Sequence, residues 1–144
     1  ILTGKMDVTM AMNGAIAGLV AITASPSAPT AGVAVLVGAA GGALVYFSIL
    51  YFDKKLKLDD PVGAMSAHGI VGILGVMLVP LTSTSDASYF YQFIGVVSIA
   101  GFTFITSLLT ILAINKFMPI RATDEEQYEG LDKSEIGVEA YPEF

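Results

Sequence analysis

Residues 89–114 read YFYQFIGVVSIAGFTFITSLLTILAI, an unbroken run without Asp, Glu, Lys or Arg. About 20 apolar residues in a helix cross a hydrocarbon core, so this run is long enough to do so. Residues 8–24, 32–52 and 62–81 are also free of charge. The first of these is the shortest, and Thr9, Asn13, Thr23 and several glycines make it the most polar. A soluble bundle built from four such helices would be apolar on every side and would have no face for water. The expected fold class is therefore an all-α membrane protein of about four transmembrane helices.

Composition agrees: 54% of the 144 residues are hydrophobic, 14% are charged, and the mean hydropathy is +0.72. There is no cysteine, which excludes disulfides and thiolate metal sites. No phosphate-loop, nucleophile-elbow, zinc-protease or EF-hand pattern occurs, so an enzyme is not expected and no cofactor is implied. Seven basic residues are too few for a nucleic-acid face.

Three polar breaks separate the runs: the Ser25-Pro26-Ser27 stretch with Pro29, D-K-K-L-K-L-D-D at 53–60, and T-S-T-S-D-A-S at 82–88. All the basic residues fall on one side of the membrane in this arrangement. Lys5 precedes the first run, Lys54, Lys55 and Lys57 lie between the second and third, and Lys116, Arg121 and Lys133 follow the fourth. The positive-inside rule then puts both ends of the chain in the cytoplasm of a multi-pass cell-membrane protein. The expected organisation is a transmembrane region over 1–117, with spans near 8–24, 32–52, 62–81 and 89–117, followed by a tail over 118–144. That tail holds eight acidic and two basic residues, which accounts for the whole net charge of −6.

His68 is the only histidine and falls inside the third run. Eight residues of helix from Asp60 would carry it about 12 Å inward. An ionisable group at such depth faces a bundle interior or a path, because lipid exposure is costly. It can hydrogen-bond at a helix interface, or line a route for a small neutral molecule, since a neutral imidazole both donates and accepts. Ala64, Met65, Gly72 and Gly75 share its face in a regular α-helix and would make that face narrow and dry. No other potential ligand shares the span, so the span alone builds no metal site. Asn13 is open to three readings: a cap, an interhelical bond or a path lining. Pairs of glycines at 14 and 18, at 38 and 42, and at 69, 72 and 75 suit close helix contact. Asp59 and Asp60 before Pro61 suit a helix N-terminus.

N-G-A-I-A-G-L-V-A-I-T-A at 13–24, D-D-P-V-G-A-M-S-A-H-G at 59–69 and E-G-L-D at 129–132, with Gly137 and Ala140-Tyr141, together resemble the C-terminal part of the ammonium transporter family. The resemblance covers nearly the whole chain, in order, and matches the last four of the family's eleven spans. It implies a homotrimer with a pore in each subunit, where ammonium is recruited outside and deprotonated before ammonia and the proton cross. His68 then resembles the second of two stacked pore histidines, and Ile16 an apolar pore neighbour; Ala64, from the His68 face, and Asn13, from its polarity within the first run, are the further candidate pore residues. Gly130, Asp132, Gly137 and Tyr141 belong by the same resemblance to a cytoplasmic regulatory tail that packs beneath a neighbouring subunit. The nitrogen-signalling protein PII is an expected partner at that face, and Ser134 falls where plant relatives carry a regulatory threonine. An ammonium sensor of the same fold, signalling through a docked partner, is the alternative.

The chain departs from the family pattern at Ile136, often histidine, and at Gly63 and Ser66, where many members carry an acid and a glycine. The resemblance implies that the first pore histidine and the outer gate belong to earlier helices. A piece of a longer or split transporter, without transport of its own, is therefore expected.

Overall fold

A computed structural model describes residues 4, 7–27, 30–83 and 86–139, which are all-α, with no strand among them. The helices are α1 (Val8–Thr23), α2 (Ala31–Tyr51), α3 (Val71–Thr82), α4 (Tyr89–Phe117) and α5 (Asp124–Glu129). Three wider, π-helical turns accompany them: Phe52–Leu56 extends α2, Met65–Ile70 leads into α3, and Asp132–Ile136 follows α5. Among the described residues, three helical stretches are long and apolar enough to cross a membrane: Ala31–Leu56, Met65–Thr82 and Tyr89–Phe117. Val8–Thr23 is a shorter apolar helix of 16 residues.

Side chains at the ends explain where the first two helices start. Asp7 Oδ1 accepts the Met10 N–H at 3.0 Å, and Thr30 Oγ1 accepts that of Val33 at 3.2 Å. Each satisfies an N–H that has no partner within its own helix. The second helix runs past residue 52 to Leu56 and stops at Lys57, whose φ of 52° is left-handed.

The chain divides into two compact units, Ile1–Ile99 and Ala100–Phe144. In the first, α1, α2 and the Met65–Thr82 helix pack together through small residues spaced four apart. Asn13, Ala17 and Ala21 are buried on α1, Val37, Gly41 and Val45 on α2, and Ala67, Val71 and Gly75 on the third helix. A β-carbon added to Gly18 would lie 3.4 Å from the Gly38 oxygen, and one on Gly42 would lie 3.5 Å from the Gly14 oxygen. As α1 numbers rise the α2 numbers fall, so these helices are antiparallel. Asn13 meets Gly63 and Ala21 meets Gly75, so the third helix runs parallel to α1. Such close approach gives dispersion contact where lipid removes the hydrophobic drive between helices.

None of the α4 residues is buried. At its end, Asn115 Oδ1 accepts the Ile120 N–H at 3.1 Å. In the second unit, α5 opens with a capping box: the Glu126 N–H donates to Thr123 Oγ1, and the Thr123 N–H donates to Glu126 Oε2 at 2.7 Å.

Candidate functional site

Asp60, Pro61, Val62 and Gly63 form a turn closed by the Gly63 N–H donating to the Asp60 oxygen at 2.9 Å. Proline presets the second position of such a turn. Gly63 has φ of 69°, which glycine adopts without steric cost. A β-carbon there would also lie 2.7 Å from Asn13 Nδ2, so the departure to glycine matches the amide stacked above it. Asn13 is 6% exposed, and its amide lies against this turn.

The Asp60 carboxylate folds forward over the helix start. Oδ1 accepts the Met65 N–H at 3.0 Å, while Oδ2 accepts the Ser66 N–H at 3.0 Å and the Ser66 hydroxyl at 2.8 Å. Burial pushes this carboxyl up, but the Ser66 hydroxyl and the N–H groups of Met65, Ser66 and Ala64 outweigh burial and hold it below the ordinary value of 3.8. Ser66, fully buried, thus gains from its departure a hydroxyl that secures the helix start.

The sequence places a helix start after Asp60, and the structure finds Asp60 capping it from five and six residues away. Because 61–63 form a turn, His68 lies only three residues past Met65, shallower than eight helical residues would carry it.

The π-helical turn also changes which residues share the His68 face. The Val71 N–H reaches the oxygens of both His68 and Ser66. The wider turn sets the register back, so Ala67, Val71 and Gly75 align on the packing face. Gly75 is buried there, with the Ala21 oxygen 2.6 Å from where its β-carbon would be, and it does not share the exposed face of His68. His68 and Ala64 are exposed, and Ile16 is 39% exposed. The four expected pore residues therefore divide: His68, Ala64 and Ile16 stand outside the three-helix core, and Asn13 is tucked into its end.

Asn13 lines a cavity of about 490 Å³ at that end together with Asp7, Asp53, Asp59, Asp60 and Gly63. Among the described residues, no three acidic, histidine or cysteine side chains are grouped to hold a metal ion.

Of the tail residues, Gly130 and Gly137 have φ of 99° and 72°. Gly137 ends the Asp132–Ile136 turn, donating its N–H to the Lys133 oxygen at 3.1 Å. The Lys133 N–H donates to Asp132 Oδ1 at 3.0 Å. Ser134 lies within that turn, and Ile136 is exposed. Tyr141 lies outside the described residues. The Asp60 to Ser66 bond and the tight seam at Gly41 were not singled out in the sequence. An Asp-Pro followed by Ser six residues after the acid is the signal that could have found the first.

Replacing Asp60 with alanine should destabilise the third helix by about 1 kcal/mol or more, the usual cost of losing a cap. Because its folded pKa is lowered, this contribution is present above the ordinary value of 3.8 and is lost as pH falls through the lowered value. Thermal unfolding in detergent from pH 7 to pH 3 checks this: the melting temperatures of wild type and Asp60→Ala should converge only at the acid end. A gap that closes above the ordinary value of 3.8, or no gap at any pH, would contradict the role.

The model of the Ammonium Transporter Family matches residues 1–141. An ammonium transporter of Haloferax mediterranei is 36% identical over 144 residues, covering 98% of this chain and 28% of the relative. One from Bacillus subtilis is 32% identical over 155 residues, covering 98% and 38%. Ammonium transporter 1 of Schizosaccharomyces pombe is 30% identical over 153 residues, covering 89% and 30%. The chain spans about a third of the length of these curated relatives.

Proposed function

As the chain belongs to the ammonium transporter family, we propose that it forms part of a transporter that moves ammonium or ammonia across the cell membrane. Ammonium is deprotonated, ammonia and the proton both cross, and the ammonia follows a hydrophobic path lined by His68, Ile16 and Ala64, with Asn13 at its end. The observation that carries this reading is the position of His68: on a helix of membrane-crossing length, yet exposed beside the packed core rather than consumed by it. A neutral imidazole there can accept from and donate to ammonia, and the apolar neighbours exclude hydrated ions.

Other helices of the same transporter supply the facing wall and the partner histidine, and three subunits assemble with a pore in each. The ends of the chain lie in the cytoplasm, the orientation that the placement of the basic residues favours. There the 118–144 tail, with Gly130, Asp132, Gly137 and Tyr141, serves regulation and offers a face to PII.

The test is uptake of labelled methylammonium by cells lacking their own ammonium transporters and expressing the complete transporter that includes this chain. Uptake that ammonium competes away is expected. Ammonium binding without flux would overturn transport in favour of a sensor.

A further inference from the structure

Three separate elements bring acids to one place. Asp7 caps α1, Asp53 lies in the turn that extends α2, and Asp59 and Asp60 precede the third helix, yet all four line the cavity of about 490 Å³ that Asn13 also lines. The neighbouring lysines are not part of it: Lys54 and Lys55 line a separate cleft, and Lys57 lines neither. Asp60 is engaged by Met65 and Ser66, and Asp7 Oδ1 by Met10. Among the described residues, nothing donates to the carboxylates of Asp53 and Asp59.

Asn13 is an independent sign of a ligand. Its side chain is only 6% exposed, and among the described residues no group hydrogen-bonds to its amide. A fully covered amide in that state is costly, and among the described residues no fully covered side-chain nitrogen or oxygen lacks a partner. The Asn13 amide therefore opens onto the cavity, and its hydrogen bonds are directed at an occupant. A compact divalent metal does not match, because it takes about six or more ligands converging on one point. Among the described residues, no three acids are grouped in that way. The lining also includes the apolar side chains of Met10, Ile49, Leu58 and Pro61, and the volume lies within the roughly 300–1,000 Å³ that takes small organic ligands.

We propose that this cavity binds a linear polyamine, a methylene chain carrying two or more ammonium groups. The ammonium groups donate to Asp53, Asp59 and the Asn13 oxygen, and the methylenes lie against Met10, Ile49 and Leu58. Charges set apart along a flexible chain can reach carboxylates that do not converge on one ion, and they offset the mutual repulsion of the acids. A monoamine satisfies one carboxylate and leaves the others. The proposal does not depend on what the transporter carries.

The test is isothermal titration calorimetry of the complete transporter in an uncharged detergent, with spermidine, butylamine and magnesium chloride as probes. Spermidine should bind saturably, and butylamine and magnesium roughly tenfold more weakly or worse. Asp53→Asn with Asp59→Asn should lower the spermidine affinity roughly tenfold or more, because two charge-assisted contacts are lost. Asn13→Ala should lower it as well. Glu125→Gln with Glu135→Gln removes as many charges outside the cavity lining and should leave the affinity unchanged. Circular dichroism and gel filtration verify that each variant keeps its helices and assembly. No spermidine binding, magnesium or butylamine binding as tightly, an unchanged affinity in the asparagine variant, or an equal loss in the tail variant overturns the proposal.

Discussion

A complete transporter carrying His68→Asp should conduct no measurable ammonium current, and His68→Ala should change its selectivity for ammonium over other cations. The imidazole is useful because it is neutral while it both donates and accepts. Aspartate introduces a fixed negative charge into a nearly uncharged path. An ionised carboxylate only accepts, so it cannot hand ammonia onward as the imidazole does, and it holds a cation where a neutral molecule should pass. Alanine removes the hydrogen-bonding relay but leaves the path dry. Because His68 is exposed beside the core, neither change disturbs the contacts of Ala17, Val45 or Val71. Folding and membrane insertion should therefore be retained, which surface expression and gel filtration can check. Current recorded from reconstituted liposomes decides the matter, and unchanged ammonium selectivity in both variants would remove His68 from the path.

The second large effect is expected at Gly41. A β-carbon there would lie 2.8 Å from the Ala17 oxygen, 2.8 Å from Ala21 Cβ and 3.2 Å from Val71 Cγ1. One of these atoms is backbone and another is fixed to it, so little can yield. Gly41→Leu must push α1 and the third helix away from α2, at a cost of about 3 kcal/mol, the upper part of the usual overpacking range. Gly101→Ala is the contrast, because nothing lies within 4 Å of its added β-carbon. In a helix interior that change should be neutral or favourable by up to about 1 kcal/mol. Melting in detergent should separate the two by several degrees, with Gly41→Leu also lost from the membrane fraction. Equal melting temperatures would show that the seam does not hold the three helices together.

Membrane class and helix content were legible because they depend on composition summed over long windows. Residues 89–114 cannot be placed in water as a helix without exposing apolar groups all round, whatever they pack against. Family membership was legible for a similar reason: three motifs in order, each keeping its chemistry, are local facts that need no coordinates. The small-residue seam was only half visible. Gly18, Gly38, Gly42 and Gly75 were read as packing positions and do approach other helices, and Gly14 offers only its oxygen, to Gly42. Gly41, the tightest on α2, was not distinguished from its neighbour, and Gly69 proved to have nothing within 4 Å. Spacing restricts the choice of face, but several adjacent glycines leave the rotation of the helix undetermined.

By itself the sequence determined that this chain is an all-α membrane protein with one histidine in a span. It also showed which residues could serve a pore and which could serve a tail. Only the tertiary structure decided that Asp60 and Ser66 secure the third helix, and that a π-helical turn separates His68 from Gly75. It also brought Asp53, Asp59 and Asp60 of the polar loop to one cavity with Asn13. The physical reason is common to all three: hydrogen-bond register and helix rotation decide which side chains share a face. An extra residue in a turn alters that outcome without altering hydropathy, charge count or motif.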